Sequence, residues 1–149
     1  MSVLLAVNGT LMRGLEVNAN LIEAGATFVR ETRTAPIYRL WSIDDRHPAM
    51  IRVAEGGADA TGGGADATGG GADATGGGAA IALEVWLVPP EGLAAILLKE
   101  PAGLCIGKVR LEDGSETLGV LGEPALCEGK REITTYGGWR AYAASRERA

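Results

Sequence analysis

The chain opens with Val3-Leu4-Leu5-Ala6-Val7, followed directly by Asn8-Gly9-Thr10-Leu11-Met12-Arg13-Gly14, and the rest of the fold is organised around this segment. Five consecutive apolar residues predict a buried strand, and the run is too short to span a membrane. The run ends at Asn-Gly, where Gly9 allows backbone angles that other residues avoid, so the chain can turn sharply. Such a loop can direct successive backbone N–H groups at one point, which suits a carboxylate or an oxyanion. A plain turn after a core strand is the alternative interpretation of the same residues.

Length and composition limit the classes of protein that this chain can represent. Its 149 residues suit a single domain, 1–149, and 46% of them are hydrophobic. The net charge of −5 and the lack of a basic patch argue against nucleic-acid binding. Neither a signal-type start nor a stretch of transmembrane length is visible, so we expect no membrane association and a cytoplasmic location.

The cysteines and the single histidine give no metal or nucleophile motif. Cys105 and Cys127 do not make a disulfide framework, and Cys105 lies between Leu104 and Ile106, where we expect a buried small hydrophobe. A Ser-His-Asp or Cys-His arrangement would have to use His47, which lies in a polar turn. With no second histidine and no paired cysteines, we expect neither a zinc site nor another metal site.

Hydrophobic periodicity predicts an α+β fold with many strands and a few short helices. Strands are expected at 26–31, 36–43, 50–53, 81–87, 104–111, 116–121 and around Ile133. Helices are expected at 15–24, from Pro90 through Leu97, and in a final turn or helix that carries Trp139 and Tyr142.

The segment 56–79 differs in composition from everything around it. Ala-Asp-Ala-Thr-Gly-Gly-Gly occurs three times without change, at 58–64, 65–71 and 72–78. With little apolar surface to bury, such a segment is expected to be a flexible loop inserted at the tip of a hairpin between 50–53 and 81–87. Calcium binding is the alternative, but calcium-binding β-roll repeats have a nine-residue period and a large apolar residue in each turn.

Several short motifs, taken in order, resemble one family over nearly the whole chain apart from 56–79. They are Asn8-Gly9-Thr10-Leu11-Met12, Gly25-Ala26, Thr34-Ala35-Pro36-Ile37-Tyr38-Arg39-Leu40 and Thr134-Thr135-Tyr136-Gly137-Gly138-Trp139. They resemble the gamma-glutamylcyclotransferase-like superfamily, and more closely the C-terminal domain of allophanate hydrolases. The resemblance implies a small mixed β-barrel flanked by short helices, acting without a cofactor.

Glu100 is the candidate catalytic residue. The run from Val85 to Glu100 is similar to the family's strand-and-helix pattern, in which the final glutamate is the catalytic acid/base. Burial just before Pro101 would raise the pKa of this carboxyl and suit it to proton transfer. The alternative is a solvent-exposed charge at a helix end beside Lys99.

The resemblance also implies a binding loop. Asn8, Gly9, Thr10 and Leu11 would bind the substrate, and the backbone N–H groups of the last three would hold its carboxylate or developing oxyanion. Asn8 stands where cyclotransferases usually have tyrosine, and Leu97 stands where they have aspartate.

Three functions remain open at this point. The first is a stand-alone enzyme acting on a small carboxylated amide or urea such as carboxyurea, as the allophanate hydrolase resemblance implies. The second is a γ-glutamyl cyclotransferase that releases 5-oxoproline. The third is a non-catalytic accessory domain that binds a separate amidase, since no amidase signature is visible here.

Overall fold

A computed structural model describes residues 1–53 and 77–148 of the chain. The strands are β1 (Val3–Val7), β2 (Thr27–Arg33), β3 (Tyr38–Ile43), β4 (His47–Arg52), β5 (Ala82–Val88), β6 (Leu104–Arg110), β7 (Glu116–Gly122) and β8 (Arg131–Glu132). The helices are α1 (Asn18–Glu23), α2 (Pro90–Lys99), α3 (Pro124–Cys127) and α4 (Trp139–Arg148), with a 3₁₀ turn at Thr134–Tyr136. The predicted α+β class is confirmed.

The described strands form two sheets. The first has the order β2-β5-β1-β7-β6 and the second the order β4-β3-β8. The apolar run β1 lies at the centre of the first sheet, antiparallel to β5 and parallel to β7. Leu5, Ala6 and Val7 are almost completely buried there, as expected for a strand with neighbours on both sides.

The sheets formed by the described strands are not closed into a barrel, so the barrel geometry implied by the family resemblance is wrong. They approach each other closely between β4 and β7. A Cβ atom placed on Gly122 of β7 would lie 2.7 Å from the Cβ of Ala49 in β4. Glycine at this position therefore lets β4 pack directly against the end of β7, and the start of β4 comes close to the loop after β1.

The expected hairpin between 50–53 and 81–87 is wrong. β4 pairs with β3, whereas β5 pairs with β1 and β2 in the other sheet. Met50 of β4 and Leu83 and Val85 of β5 are buried in the same core, but the two strands hydrogen-bond in different sheets, and local periodicity does not reveal strand pairing. Residues 54–76, which contain most of the repeats, lie outside the described part of the chain, so the flexible insertion stays a prediction. At the end of the inserted segment, Ala79 forms an antiparallel β-bridge with Tyr38.

Other expectations have mixed outcomes. Helix α2 begins at Pro90 as predicted, and α1 is shorter than the expected 15–24. Cys105 is exposed rather than buried, and the core contact on its face of β6 is made further along the strand by Val109. None of the helices in the described part of the chain is both long enough and apolar enough to cross a membrane.

Candidate active site

Glu100 lies immediately after α2, in extended backbone with φ −74° and ψ 146°. Its N–H still donates to Leu97 O at 3.2 Å, so the residue is held against the last turn of the helix. Pro101 explains why the helix ends here, since the residue before a proline disfavours helical angles. The hydrogen bond to Leu97 and the extended backbone before Pro101 therefore fix the position of Glu100 at the end of α2.

The loop after β1 is fixed through its carbonyl groups. Gly9 O accepts from the N–H of Met12 at 3.0 Å, and Thr10 O accepts from the N–H of Val17 at 3.1 Å. Leu11 O accepts from the side-chain amide of Asn18 at 2.8 Å. No hydrogen bond within residues 1–53 and 77–148 uses the N–H groups of Gly9, Thr10 or Leu11. The loop is therefore held in place while three successive N–H donors are left for a ligand.

Two further contacts hold this loop against the sheets. The Asn8 side chain is 4% exposed, and its Nδ2 donates to Val120 O in β7 at 3.0 Å. Pro48 packs on Gly9 so closely that a Cβ on Gly9 would lie 2.5 Å from Pro48 Cδ. The predicted binding residue Asn8 thus has a structural contact through its amide nitrogen, and none of the hydrogen bonds in the described part of the chain involves its Oδ1.

Glu100 and the loop line one small hollow. Its cavity volume is about 20 Å³, enough for one water molecule or one ligand oxygen. The lining residues are Val7, Asn8, Gly9, Thr10, Leu11, His47, Pro48, Glu100, Leu104 and Val120. All five residues predicted from the sequence to form the site are therefore brought together.

Burial raises the pKa of the Glu100 carboxyl above its usual value. Within the described ranges, no donor or cation contacts the carboxyl oxygens to offset this effect. A carboxylic acid in such surroundings keeps its proton to a higher pH than an exposed glutamate and can donate it to a ligand.

A second cleft, of about 350 Å³, adjoins the hollow on the apolar side of Glu100. It is lined by Leu97, Glu100, Pro101, Ala102, Leu104, Cys105, Ile106 and Val120. Glu100, Leu104 and Val120 are common to both cavities. A ligand in the cleft could thus place one polar group in the hollow while most of its atoms contact apolar side chains.

His47 was missed by the sequence reasoning, which placed it in a polar turn. The turn contains Asp44 and Asp45, both with positive φ, and β4 begins at His47. Its Nδ1 lies 3.1 Å from Pro48 O. Because a carbonyl oxygen only accepts, Nδ1 carries the proton in the neutral ring and Nε2 is left as an acceptor. The sequence signal was only the His-Pro dipeptide, which does not indicate proximity to residue 100.

A larger cleft of about 610 Å³ lies near Glu84 and the start of α4. The Glu84 carboxyl is almost completely buried and is fully hydrogen-bonded by Arg13, Trp86 and Arg140. Its oxygens therefore have partners already, and we favour the Glu100 hollow as the reactive site. In the described residues, no group of three or more His, Cys, Asp or Glu side chains is arranged to hold a metal ion.

The fold is similar to those of several solved structures. A uropathogenic E. coli-specific protein is 52% identical, with a TM-score of 0.81 and 97% of each chain covered. Kluyveromyces lactis allophanate hydrolase is 26% identical with a TM-score of 0.80, over 97% of this chain but only 21% of that chain.

The sequence comparisons agree with the structural ones. Urea amidolyase of Saccharomyces cerevisiae is 30% identical over 143 residues, which is 95% of this chain and 7% of that protein. The chain thus spans a small part of the length of these relatives. The family model of the allophanate hydrolase C-terminal domain matches residues 3–63 and 66–144. The chain belongs to the family of allophanate hydrolase C-terminal domains.

Proposed function

We propose that this chain is an enzyme that removes carbon dioxide from a small carboxylated urea such as carboxyurea, with Glu100 as the acid. The observation that supports this proposal is a partly buried carboxyl with a raised pKa in the hollow that Gly9, Thr10 and Leu11 also line. The N–H groups of these three residues make no hydrogen bond within the described part of the chain. Neither a metal nor a cofactor is part of the proposed reaction.

The proposed step breaks the bond between the ureido nitrogen and the carboxyl carbon. The electron pair of that bond passes to the nitrogen, and carbon dioxide leaves. The Glu100 carboxylic acid gives its proton to this nitrogen, and water later returns a proton to the Glu100 carboxylate. Urea and carbon dioxide are the products, and both atoms and charge balance.

The loop would stabilise the charge that develops during this step. As carbon dioxide leaves, negative charge spreads from the nitrogen onto the urea oxygen. The N–H groups of Gly9, Thr10 and Leu11 could donate to that oxygen, whose size matches the narrow hollow. Asn8 and His47 also line the hollow. Their remaining acceptor atoms, Asn8 Oδ1 and His47 Nε2, would suit the N–H groups of a urea.

The test compares the wild-type protein with Glu100→Gln, which keeps the shape of the side chain but cannot release a proton. We expect the release of carbon dioxide from carboxyurea to fall by at least about 100-fold in the variant. Glu91→Gln, which changes an exposed carboxyl in the first turn of α2, is the matched control and should retain full activity. Equal activity of Glu100→Gln and wild type would refute the role of Glu100.

A γ-glutamyl cyclotransferase is the second candidate, favoured by the size of the adjoining cleft. Carboxyurea has few atoms, whereas a cleft of about 350 Å³ could also hold a dipeptide. Glu100 would take a proton from the α-amino group, which attacks the γ-carbonyl, and would then protonate the departing amine. Formation of 5-oxoproline from γ-glutamylalanine, lost in Glu100→Gln, would select this reaction over the first.

An accessory role beside an amidase is the third candidate. It is supported by the lengths of the relatives, in which this domain is a small part of a much longer chain. If neither substrate is converted and the protein co-purifies with an amidase, the accessory role is favoured over both enzyme functions.

A further inference from the structure

The loop that follows β1 begins and ends beside one residue of the neighbouring strand β5. Val7, the last residue of β1, lies directly opposite Glu84 in the antiparallel register of the two strands. After residues 8–12, the main-chain N–H of Arg13 donates to Glu84 Oε1 at 3.0 Å. The chain therefore leaves the sheet opposite Glu84 and returns to the side chain of the same residue.

The returning end of the loop is held at both of its main-chain groups. While the N–H of Arg13 donates to Glu84, the carbonyl of Arg13 accepts from Arg140 Nη2 at 2.6 Å. The same Arg140 nitrogen donates to Glu84 Oε2 at 3.0 Å, and Arg13 Nε donates to that oxygen at 3.2 Å. Glu84 is thus the common partner of the groups that fix Arg13.

These contacts are the attachment of the loop to the strands. In the part of the chain that the structure describes, every hydrogen bond between residues 9–13 and a strand is made by Arg13, to Glu84 and to Glu31. The other hydrogen bonds of Gly9, Thr10 and Leu11 join the loop only to residues 12–18, which follow it. The position of the loop relative to β5 consequently depends on Glu84.

A carboxylate is an expensive side chain at this position. The Glu84 side chain is only 2% exposed, and an apolar residue of similar volume could fill the same space without the cost of removing a charge from water. An apolar residue could not accept the N–H of Arg13, however. Trp86 Nε1 donates to Glu84 Oε1 at 3.1 Å and so helps to orient the oxygen that accepts this N–H.

We propose that Glu84 is a positioning residue for the reaction in the hollow. By holding Arg13, it keeps the N–H groups of Gly9, Thr10 and Leu11 directed at a single ligand oxygen. Glu84 does not line the hollow, so it acts through the loop and not on the ligand. The inference rests on the proposed function, in which these N–H groups stabilise the charge that develops as carbon dioxide leaves.

The kinetic test compares the wild-type protein with Glu84→Met, which has a similar volume but cannot replace the carboxylate as an acceptor. Release of carbon dioxide from carboxyurea is measured at a temperature at which circular dichroism shows both proteins fully folded. We expect kcat to fall by at least about tenfold and KM to change by less than about threefold, because the N–H groups act on charge that develops in the transition state.

Trp86→Phe is the matched control for a change beside the same carboxylate. It removes the hydrogen bond from Trp86 Nε1 to Glu84 Oε1 and some buried volume, but the bond from Arg13 N to Glu84 can still form. We expect kcat within about threefold of the wild-type value, since the loop stays attached. An unchanged kcat in Glu84→Met, or an equal loss in both variants, would overturn the proposal and leave Glu84 with a purely structural role.

A second measurement does not depend on activity. The backbone ¹⁵N order parameters of Gly9, Thr10 and Leu11 should be about 0.85 in the wild-type protein and should fall towards about 0.6 in Glu84→Met. In Trp86→Phe they should match the wild type. Low values in the wild-type protein, or unchanged values in Glu84→Met, would refute the positioning role. If the wild-type protein releases no carbon dioxide, the proposed function fails, while the order parameters still show whether Glu84 holds the loop.

Glu84→Asp replaces Glu84→Met in both measurements if the methionine variant does not fold. Aspartate keeps a negative charge for Arg13 and Arg140, but it is one methylene shorter and does not reach the N–H of Arg13. We therefore expect the same loss of kcat and of loop order in Glu84→Asp. Wild-type values of both quantities in Glu84→Asp would show that the charge alone is required and would overturn the proposal.

Discussion

The carboxyls of Glu84 and Glu100 are both at least partly buried, but they differ in the number of hydrogen-bond donors around them. Glu84 accepts from the backbone N–H and Nε of Arg13, from Trp86 Nε1 and from Arg140. Burial would raise the pKa of Glu84, but these hydrogen bonds outweigh it and lower the pKa. Glu100 has no donor of this kind among the described residues, and burial alone raises its pKa. A carboxyl surrounded by donors stabilises the fold as an anion, whereas one without them is suited to proton transfer.

The largest expected effect is the difference in stability between the two variants in which one of these carboxyls is removed. Glu84→Ala leaves Arg13 and Arg140 without their shared partner and opens a cavity at a buried position. We expect a loss of about 3 kcal/mol in the free energy of unfolding, measured by urea denaturation. Glu100→Ala should cost far less, because no hydrogen bond is lost with the carboxyl. Similar losses of stability for both variants would show that the hydrogen bonds of Glu84 do not stabilise the fold more than the carboxyl of Glu100 does.

A second prediction concerns the loop that faces Glu100. In Gly9→Ala the new methyl group would collide with the Pro48 ring, which has little freedom to move. We expect a loss of about 2 kcal/mol in stability and a marked loss of activity, because the three N–H groups would shift. Gly77→Ala is the control, since no atom of the described residues lies within 4 Å of a Cβ placed there. An unchanged protein after Gly9→Ala would mean that the loop adapts readily.

The sequence predicted the centre of this fold better than its edges. The apolar run 3–7 could be recognised as a buried strand, and the family pattern located both the loop and Glu100. Exposure of Cys105 could not be predicted, because tertiary packing decides which part of a strand face is covered, and here Val109 is buried on the face that leaves Cys105 exposed. His47 could not be assigned to the hollow for a similar reason: its position depends on how β4 packs against β7 and on the contact between Pro48 and Gly9.

The third prediction tests how much each partner of Glu84 contributes. Arg140 donates to Glu84 Oε2 at 3.0 Å, but its own side chain is about half exposed. We expect Arg140→Ala to lower the free energy of unfolding by about 1 kcal/mol, because solvent screens part of the interaction. Lys99→Ala, which removes a pair with Glu23 in which both side chains are at least half exposed, should change it by less than about 0.5 kcal/mol. Equal effects would indicate that burial of Glu84 does not strengthen its ion pairs.

The smallest expected effect is the contribution of Glu100 to the pH dependence of the protein's stability. The pKa of Glu100 is raised in the folded state, so the folded protein binds this proton more tightly than the unfolded chain does. Its contribution to stability is therefore complete at low pH and is lost as the pH rises through the folded pKa. Glu100→Gln, which does not ionise, should match wild type near pH 4 and be more stable than wild type at pH 7. Thermal unfolding of both proteins at the two pH values measures this difference. If Glu100→Gln is more stable than wild type by the same amount at both pH values, ionisation of the Glu100 carboxyl does not destabilise the folded protein. The raised pKa, on which the role of Glu100 as an acid rests, would then be wrong.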